Sequence, residues 1–267
     1  MKPFFSVIVP TLNEEKFLPK LLDRLVKQKT KNFEVIVVDG KSEDKTKEIS
    51  ENAKKVLQLE FFEAGERNVS LQRNLGAQKA RGEYLIFLDA DIGITPTFTQ
   101  KLKSIITRKK GLIFLPSLLP DEQKAETKAI FKMSNKIIEA SQTLGRPIPA
   151  PGALIMERNI FLKIGGYDKK ISLAEDHEIL KRAQEWGVRA KFLPTLTVRY
   201  SLRRAKKEGR FKTLYKFALS TSHILFTGTL KDKIFEYEMG GKYHLEADKK
   251  KDYAQDYLNK IKEFFLT

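Results

Sequence analysis

A chain of 267 residues with 50 Lys+Arg against 34 Asp+Glu carries a formal charge of +16, has no cysteine and is 41% hydrophobic. Without thiols, disulfide frameworks, thiolate metal sites, cysteine nucleophiles and dithiol redox chemistry are excluded. The length and apolar content support one large or two small globular domains, and the positive balance points to nucleic acid, a phospholipid surface or a phosphorylated small molecule.

Short apolar runs alternate with helical patterns through the first 115 residues. Phe5 to Val9 reads as a buried strand ending at Pro10. Phe17, Leu18, Leu21, Leu22, Leu25 and Val26 then form the stripe of an amphipathic helix. Strands are predicted over Glu34–Val38, Val56–Phe62, Tyr84–Leu88 and Leu112–Leu115, with helices over Lys45–Asn52 and Ser70–Lys79. This alternation predicts an α/β fold with a mostly parallel sheet flanked by helices. Ligands of such sheets bind beyond the carboxyl ends of the strands, so Pro10 to Glu14, Asp39 to Asp44 and Asp89 to Asp91 are the candidate site segments.

Beyond Pro116, residues 121–144 read as helical, Arg146–Gly152 as a Pro/Gly-rich loop, and Gly165 to Asp168 as a turn. A helix is predicted over Leu173–Trp186, carrying Glu175 and Asp176 at its start. From Arg199 the chain is basic, with Arg203, Arg204, Lys206, Lys207 and Arg210, and the tail carries aromatic residues at helical spacing. No secretory signal pattern opens the chain. No run of about 18 apolar residues exists. The expectation is a cytoplasmic protein, with peripheral contact at the cytoplasmic membrane face as an option.

Asp89-x-Asp91 at a strand exit offers two hard oxygen donors that can hold Mg²⁺ or Mn²⁺ and leave positions for a diphosphate. The alternative is an acidic loop that only solvates the sheet edge. Asp39 can accept hydrogen bonds from a nucleobase or ribose, or simply shape its turn with Ser42 and Asp44. Arg73 suits bidentate phosphate contact. Glu175 and Asp176 either complement a helix dipole or supply a general base. His177 competes for that role, with a neighbouring carboxylate expected to raise its pKa. The basic run fits a solvated face, a diphosphate site or an anionic membrane. Nothing resembling a nucleic-acid module accompanies it, so nucleic acid is not expected as a partner.

Taken in order, Val7–Glu15, Val37–Thr46, Arg73-Asn74-x-Gly76, Gly82–Asp91, Gly165–Asp168 and Glu175-Asp176 resemble a family 2 glycosyltransferase with the GT-A (Rossmann-like) fold. The resemblance spans about residues 4–190. It implies inverting transfer of a sugar from a nucleotide-diphosphate donor, UDP ahead of GDP, to an acceptor hydroxyl. A lipid-linked acceptor or a cell-surface glycan precursor is one option. By the same resemblance Pro10, Thr11, Asn13, Glu14, Asp39 and Ser42 line the nucleoside pocket, and Arg73 faces the base or diphosphate. Asp89 and Ala90 face the ribose and metal, Asp91 is the direct ligand of Mg²⁺ or Mn²⁺, Asp176 is the base, and Glu175 orients the acceptor.

The turn after Asp39 departs from the family by placing Lys41 near the nucleotide. The usual arginine motif after the base is replaced by Arg203 and Arg204 as candidate diphosphate contacts. Residues 1–115 are expected to form the nucleotide half, 116–205 the acceptor half, and 206–267 a mainly helical basic extension. The competing readings are a sugar-phosphate nucleotidyltransferase, disfavoured because no Gly-rich phosphate loop follows the first strand, and a non-catalytic protein binding anionic lipid or polymer.

Overall fold

A computed structural model describes residues 2–171 and 174–203. Arg204, the expected extension over 206–267 and its aromatic stripe lie outside the described residues. Eight strands form one sheet: β1 (Phe5–Thr11), β2 (Phe33–Asp39), β3 (Leu59–Glu63), β4 (Tyr84–Leu88), β5 (Gly93–Ile94), β6 (Ile113–Pro120), β7 (Ala153–Glu157) and β8 (Lys191–Tyr200). Their spatial order is β3-β2-β1-β4-β7-β6-β8-β5. The helices are α1 (Leu18–Val26), α2 (Thr46–Ala53), α3 (Val69–Lys79), α4 (Phe98–Lys109), α5 (Ala125–Thr143), α6 (Arg158–Lys163) and α7 (Glu175–Glu185). Among the described residues, no helix is long and apolar enough to cross a membrane.

Every residue of β1, β2 and β4 is buried, as expected for parallel strands covered on both faces. Their pairing is parallel, and the register sets Thr11 opposite Asp39. Leu18, Leu21, Leu22 and Leu25 bury one side of α1, and β1 to β4 lie where the sequence places them, with small shifts at the ends of β1, β2 and β3 and the largest at the start of β3. The third strand begins at Leu59 because Val56, 67% exposed, lies in the turn that follows α2.

The expectation of a mostly parallel sheet becomes a mixed one. β7 runs antiparallel between β4 and β6, and β5 pairs antiparallel with β8. In β8, Pro194 removes a ladder donor, and the pairing with β6 jumps from Pro116–Leu193 to Ser117–Thr197. That irregularity hides the strand from any simple alternation pattern. β8 then carries the chain back past the carboxyl end of β6 to Arg203, beside the exits of β1 and β4.

Candidate active site

Four positions of α3 assemble the site, each by a different contact. Gly76 lets the helix press onto β1, because a Cβ there would lie 2.5 Å from Ile8 Cγ2. Gln72 donates from one side-chain nitrogen to the carbonyls of Thr11 (2.8 Å) and Val38 (2.7 Å), tying the helix to the ends of β1 and β2. Asn74 pairs with the backbone of Tyr167 in both directions, each at 2.8 Å. Gly166, at φ 67°, passes so close to the Asn74 amide that a Cβ would sit 2.6 Å from its oxygen. Arg73 turns inward.

The Arg73 side chain is 5% exposed and reaches three carboxylates: Glu175 at 2.7 Å, Asp89 at 3.0 Å and Asp176 at 3.3 Å. Its guanidinium lies 5.2 Å from the centre of the Tyr167 ring, and the Tyr167 hydroxyl donates to Asp176 Oδ1 at 2.8 Å. Burial would depress the Arg73 pKa, but Asp176, Tyr167, Asp89 and Glu175 hold it well above its usual value. Burial raises the pKa of both Glu175 and Asp176, with Arg73 pulling the other way. The second oxygen of Asp176 accepts no hydrogen bond among the described residues.

At the end of β2, the buried Asp39 accepts from Thr11 Oγ1 (2.9 Å), Ser42 Oγ (2.5 Å) and the Ser42 amide (2.7 Å). Asn13 and Lys41 both adopt left-handed backbone. The Asn13 amide donates to Ser42 Oγ at 2.7 Å, and the Asn13 side chain accepts from the Glu43 amide at 2.8 Å. The first two strand exits are thereby locked to each other.

A second arginine crosses the third exit. Arg203 donates to both oxygens of Glu14, each at 2.7 Å, and its Nε lies 2.8 Å from Asp91 Oδ2. The same guanidinium stacks 4.6 Å from the centre of Phe17. Burial pushes the Asp91 pKa up to about 6, although Arg203 opposes it.

Between these clusters runs a cleft of about 290 Å³ whose walls include Pro10, Glu14, Arg73, Asp89, Asp176 and Arg203. Thr11, Ala90 and Glu175 also line it, whereas Asn13, Asp39 and Ser42 form the locked platform outside its wall. Asp91 opens instead onto a neighbouring cavity with Lys20, Arg24 and Arg199. Sequence reasoning missed Gln72 and the positioning role of Tyr167; the polar run Gln72-Arg73-Asn74 on an otherwise packed helix was the available signal.

The expectation for His177 is reversed. The imidazole is 3% exposed, and burial, helped by Lys181, pushes its pKa down to about 4. Folding therefore holds it neutral. Stability is lost as pH falls from about 6.5 toward about 4, where the unfolded chain binds a proton that the fold refuses, by up to about 3 kcal/mol. The buried carboxylates with raised pKa run in the opposite sense, so the quantity to measure is the difference from His177→Leu. Denaturant unfolding across this range should show wild type losing stability relative to the variant; parallel curves would refute the assignment.

No group of three or more His, Asp or Glu that could hold a metal ion occurs among the described residues. A hydrated divalent ion bound with a nucleotide, however, commonly takes only one or two carboxylates plus phosphate oxygens. Glu14, Asp89, Asp91, Glu175 and Asp176 supply five carboxylates, with Arg67, Arg73 and Arg203 on the cleft and Lys20, Arg24 and Arg199 on the cavity beside Asp91. Asp89 and Asp91 thus fit Mg²⁺ or Mn²⁺ on charge and donor type.

The arrangement of strand exits, acidic pair and helix-borne carboxylates is that of a GT-A fold. The family model described as "Glycosyl transferase family 2" matches residues 6–165. The chain belongs to that family. It is 29% identical over 189 residues to an uncharacterized glycosyltransferase of Haemophilus influenzae, covering 67% of this chain and 62% of the relative. It is 42% identical over 92 residues to the poly(ribitol-phosphate) beta-N-acetylglucosaminyltransferase TarS of Staphylococcus aureus, covering 33% of this chain and 16% of that one. A crystal structure of S. aureus TarS in complex with UDP-GlcNAc superposes with a TM-score of 0.61 at 26% identity, over 74% of this chain and 58% of that one. A Pyrobaculum calidifontis mannosyltransferase shares the fold, with a TM-score of 0.63 at 22% identity over 75% and 57% of the two chains. The chain spans less than two thirds of the length of these relatives.

Proposed function

We propose that this chain transfers a sugar, with inversion, from a nucleotide-diphosphate donor to an acceptor hydroxyl. The observation that carries the reading is the Arg73 hub, which gathers Asp89, Glu175 and Asp176 at the wall of a cleft beyond the parallel strand ends. The likeness to a TarS structure holding UDP-GlcNAc favours UDP as the donor's nucleotide, with GDP second. Residues 1–115 would hold the donor. Residues 116–205 would present the acceptor, since Pro149, Pro151 and Asp176 border the same cleft.

Asp176 is the proposed base. Its free oxygen takes the proton of the acceptor hydroxyl as that oxygen bonds to the anomeric carbon, while the bond from this carbon to the diphosphate oxygen breaks and the nucleoside diphosphate leaves. Tyr167 and Arg73 hold the carboxylate in place, and Glu175 acts through Arg73 and at the acceptor side. Asp91, with Asp89 beside it, would hold Mg²⁺ or Mn²⁺, which when bound supplies positive charge to the leaving diphosphate. The Asp39–Ser42–Asn13 platform, with Pro10, Thr11 and Ala90, would flank the nucleoside. The acceptor would be a hydroxyl of a lipid-linked or cell-surface glycan precursor. Membrane contact through the basic segment after Arg199 belongs to the same proposal.

Calorimetric titration of UDP, GDP and dTDP with and without Mn²⁺ tests the reading. One nucleotide, UDP first, should bind in a metal-dependent manner, and Asp91→Asn should weaken that binding at least about tenfold, a loss of about 1.4 kcal/mol. Failure of all three to bind with metal present would remove the proposal.

A further inference from the structure

Arg203 was expected to meet a diphosphate, yet it sits on the carboxylate assigned to the metal. We propose that Arg203 is the resident counter-cation of Asp91, and that a divalent ion occupies this site only by displacing it. The inference rests on the glycosyltransferase reading for the identity of the metal residue, and on the geometry for everything else.

Arg203 is held by four contacts at once. Its two terminal nitrogens grip both oxygens of Glu14 at 2.7 Å, its Nε faces Asp91 Oδ2 at 2.8 Å, and its plane covers Phe17. Bidentate, charge-assisted pairing of this kind is among the strong hydrogen bonds. Glu14 is buried, with its backbone amide fixed by Thr46 Oγ1 at 2.8 Å. The grip therefore has a rigid anchor on the loop after β1 and a second point on the loop after β4.

The contact to Asp91 occupies Oδ2, one of the two oxygens this carboxylate could offer a metal. A guanidinium and a divalent ion within 3 Å of the same oxygen repel each other, the more so beside the largely buried Asp91 carboxylate. They are alternative occupants. Arg73 plays the corresponding part at Asp89, but it is fixed by two further carboxylates and lies deeper. Arg203 stands just beyond the carboxyl end of β8, and among the described residues its side chain is tied to the site through Glu14, Asp91 and Phe17, with more exposure than Arg73, so it is the cation that can leave. The exchange lets the empty enzyme keep its buried acids neutralised. It also makes metal affinity and the position of Arg203 reciprocal quantities.

Two measurements test the displacement directly, and neither depends on turnover. The first follows arginine Nε–H resonances by NMR during a Mg²⁺ titration, with the Arg203 signal assigned by its absence in Arg203→Lys. A protected signal should be present in the free protein and should be lost as Mg²⁺ saturates. A signal that persists at saturation, or protein that takes up no Mg²⁺ at all, overturns the proposal. The second compares Mn²⁺ binding to wild type and Arg203→Ala by paramagnetic resonance of the free ion. Removal of the competitor should tighten Mn²⁺ on the order of tenfold, and equal or weaker binding overturns it. Thermal unfolding of the variant confirms that it is folded. Both arms use metal alone, so their outcome is separate from whether UDP binds.

Discussion

Asp176→Asn is expected to lower kcat by about 10²- to 10⁴-fold, the range contributed by a positioned general base, while leaving UDP affinity nearly unchanged. The substitution is close to isosteric. An asparagine oxygen still accepts from the Tyr167 hydroxyl, which stands 2.8 Å from Asp176 Oδ1, so the local packing survives. What disappears is a carboxylate whose second oxygen has no partner among the described residues and whose pKa burial raises, which makes it a stronger base than an ordinary aspartate. Arg73 keeps Glu175 and Asp89 as partners, so folding should change little. The measurement is steady-state transfer from UDP-sugar beside UDP calorimetry on the same preparations. Activity within tenfold of wild type would remove Asp176 as the base. Weakened UDP binding with normal kcat would move it to the donor side.

The parts of this site that could be read from sequence are those written by local patterning. Apolar runs ending in Pro10, Asp39 and Asp89 reveal three buried parallel strands and the polar residues that follow them. The far half of the sheet was less visible: in β8, which pairs parallel with β6, Pro194 and the register jump beside it break the alternation that identifies a strand. The charge network was less visible still. Arg73 meets partners 16, 102 and 103 positions away, and Arg203 meets Glu14 across 189. No spacing rule links such residues; the packing of α3, α7 and the end of β8 does. His177 shows the opposite trap. Asp176 is adjacent in the chain, but successive residues on a helix do not face one another, and the imidazole is governed by the core it enters.

Arg73→Met should be the most destabilising change in the site, by about 3–5 kcal/mol at neutral pH, the range for leaving buried charges without their partner. Methionine fills much of the volume but leaves Asp89, Glu175 and Asp176 crowded without the cation that reaches all three. The pH dependence separates charge from packing. Without Arg73, the pKa values of Glu175 and Asp176, already raised by burial, rise further above those of the unfolded chain, so the folded variant binds more protons than the unfolded one, and its stability increases as pH falls through the folded values. Denaturant unfolding should therefore show the deficit shrinking between pH 7 and pH 5. A deficit equal at both pH values would mean that Arg73 matters for its packing on Tyr167 and that the acids are solvated. Arg73→Lys should recover little, since one ammonium cannot reproduce a planar fork shared among three carboxylates. Because one of those carboxylates is the proposed base and another the neighbour of the proposed metal ligand, transfer should fail in both variants even at the pH where the fold recovers.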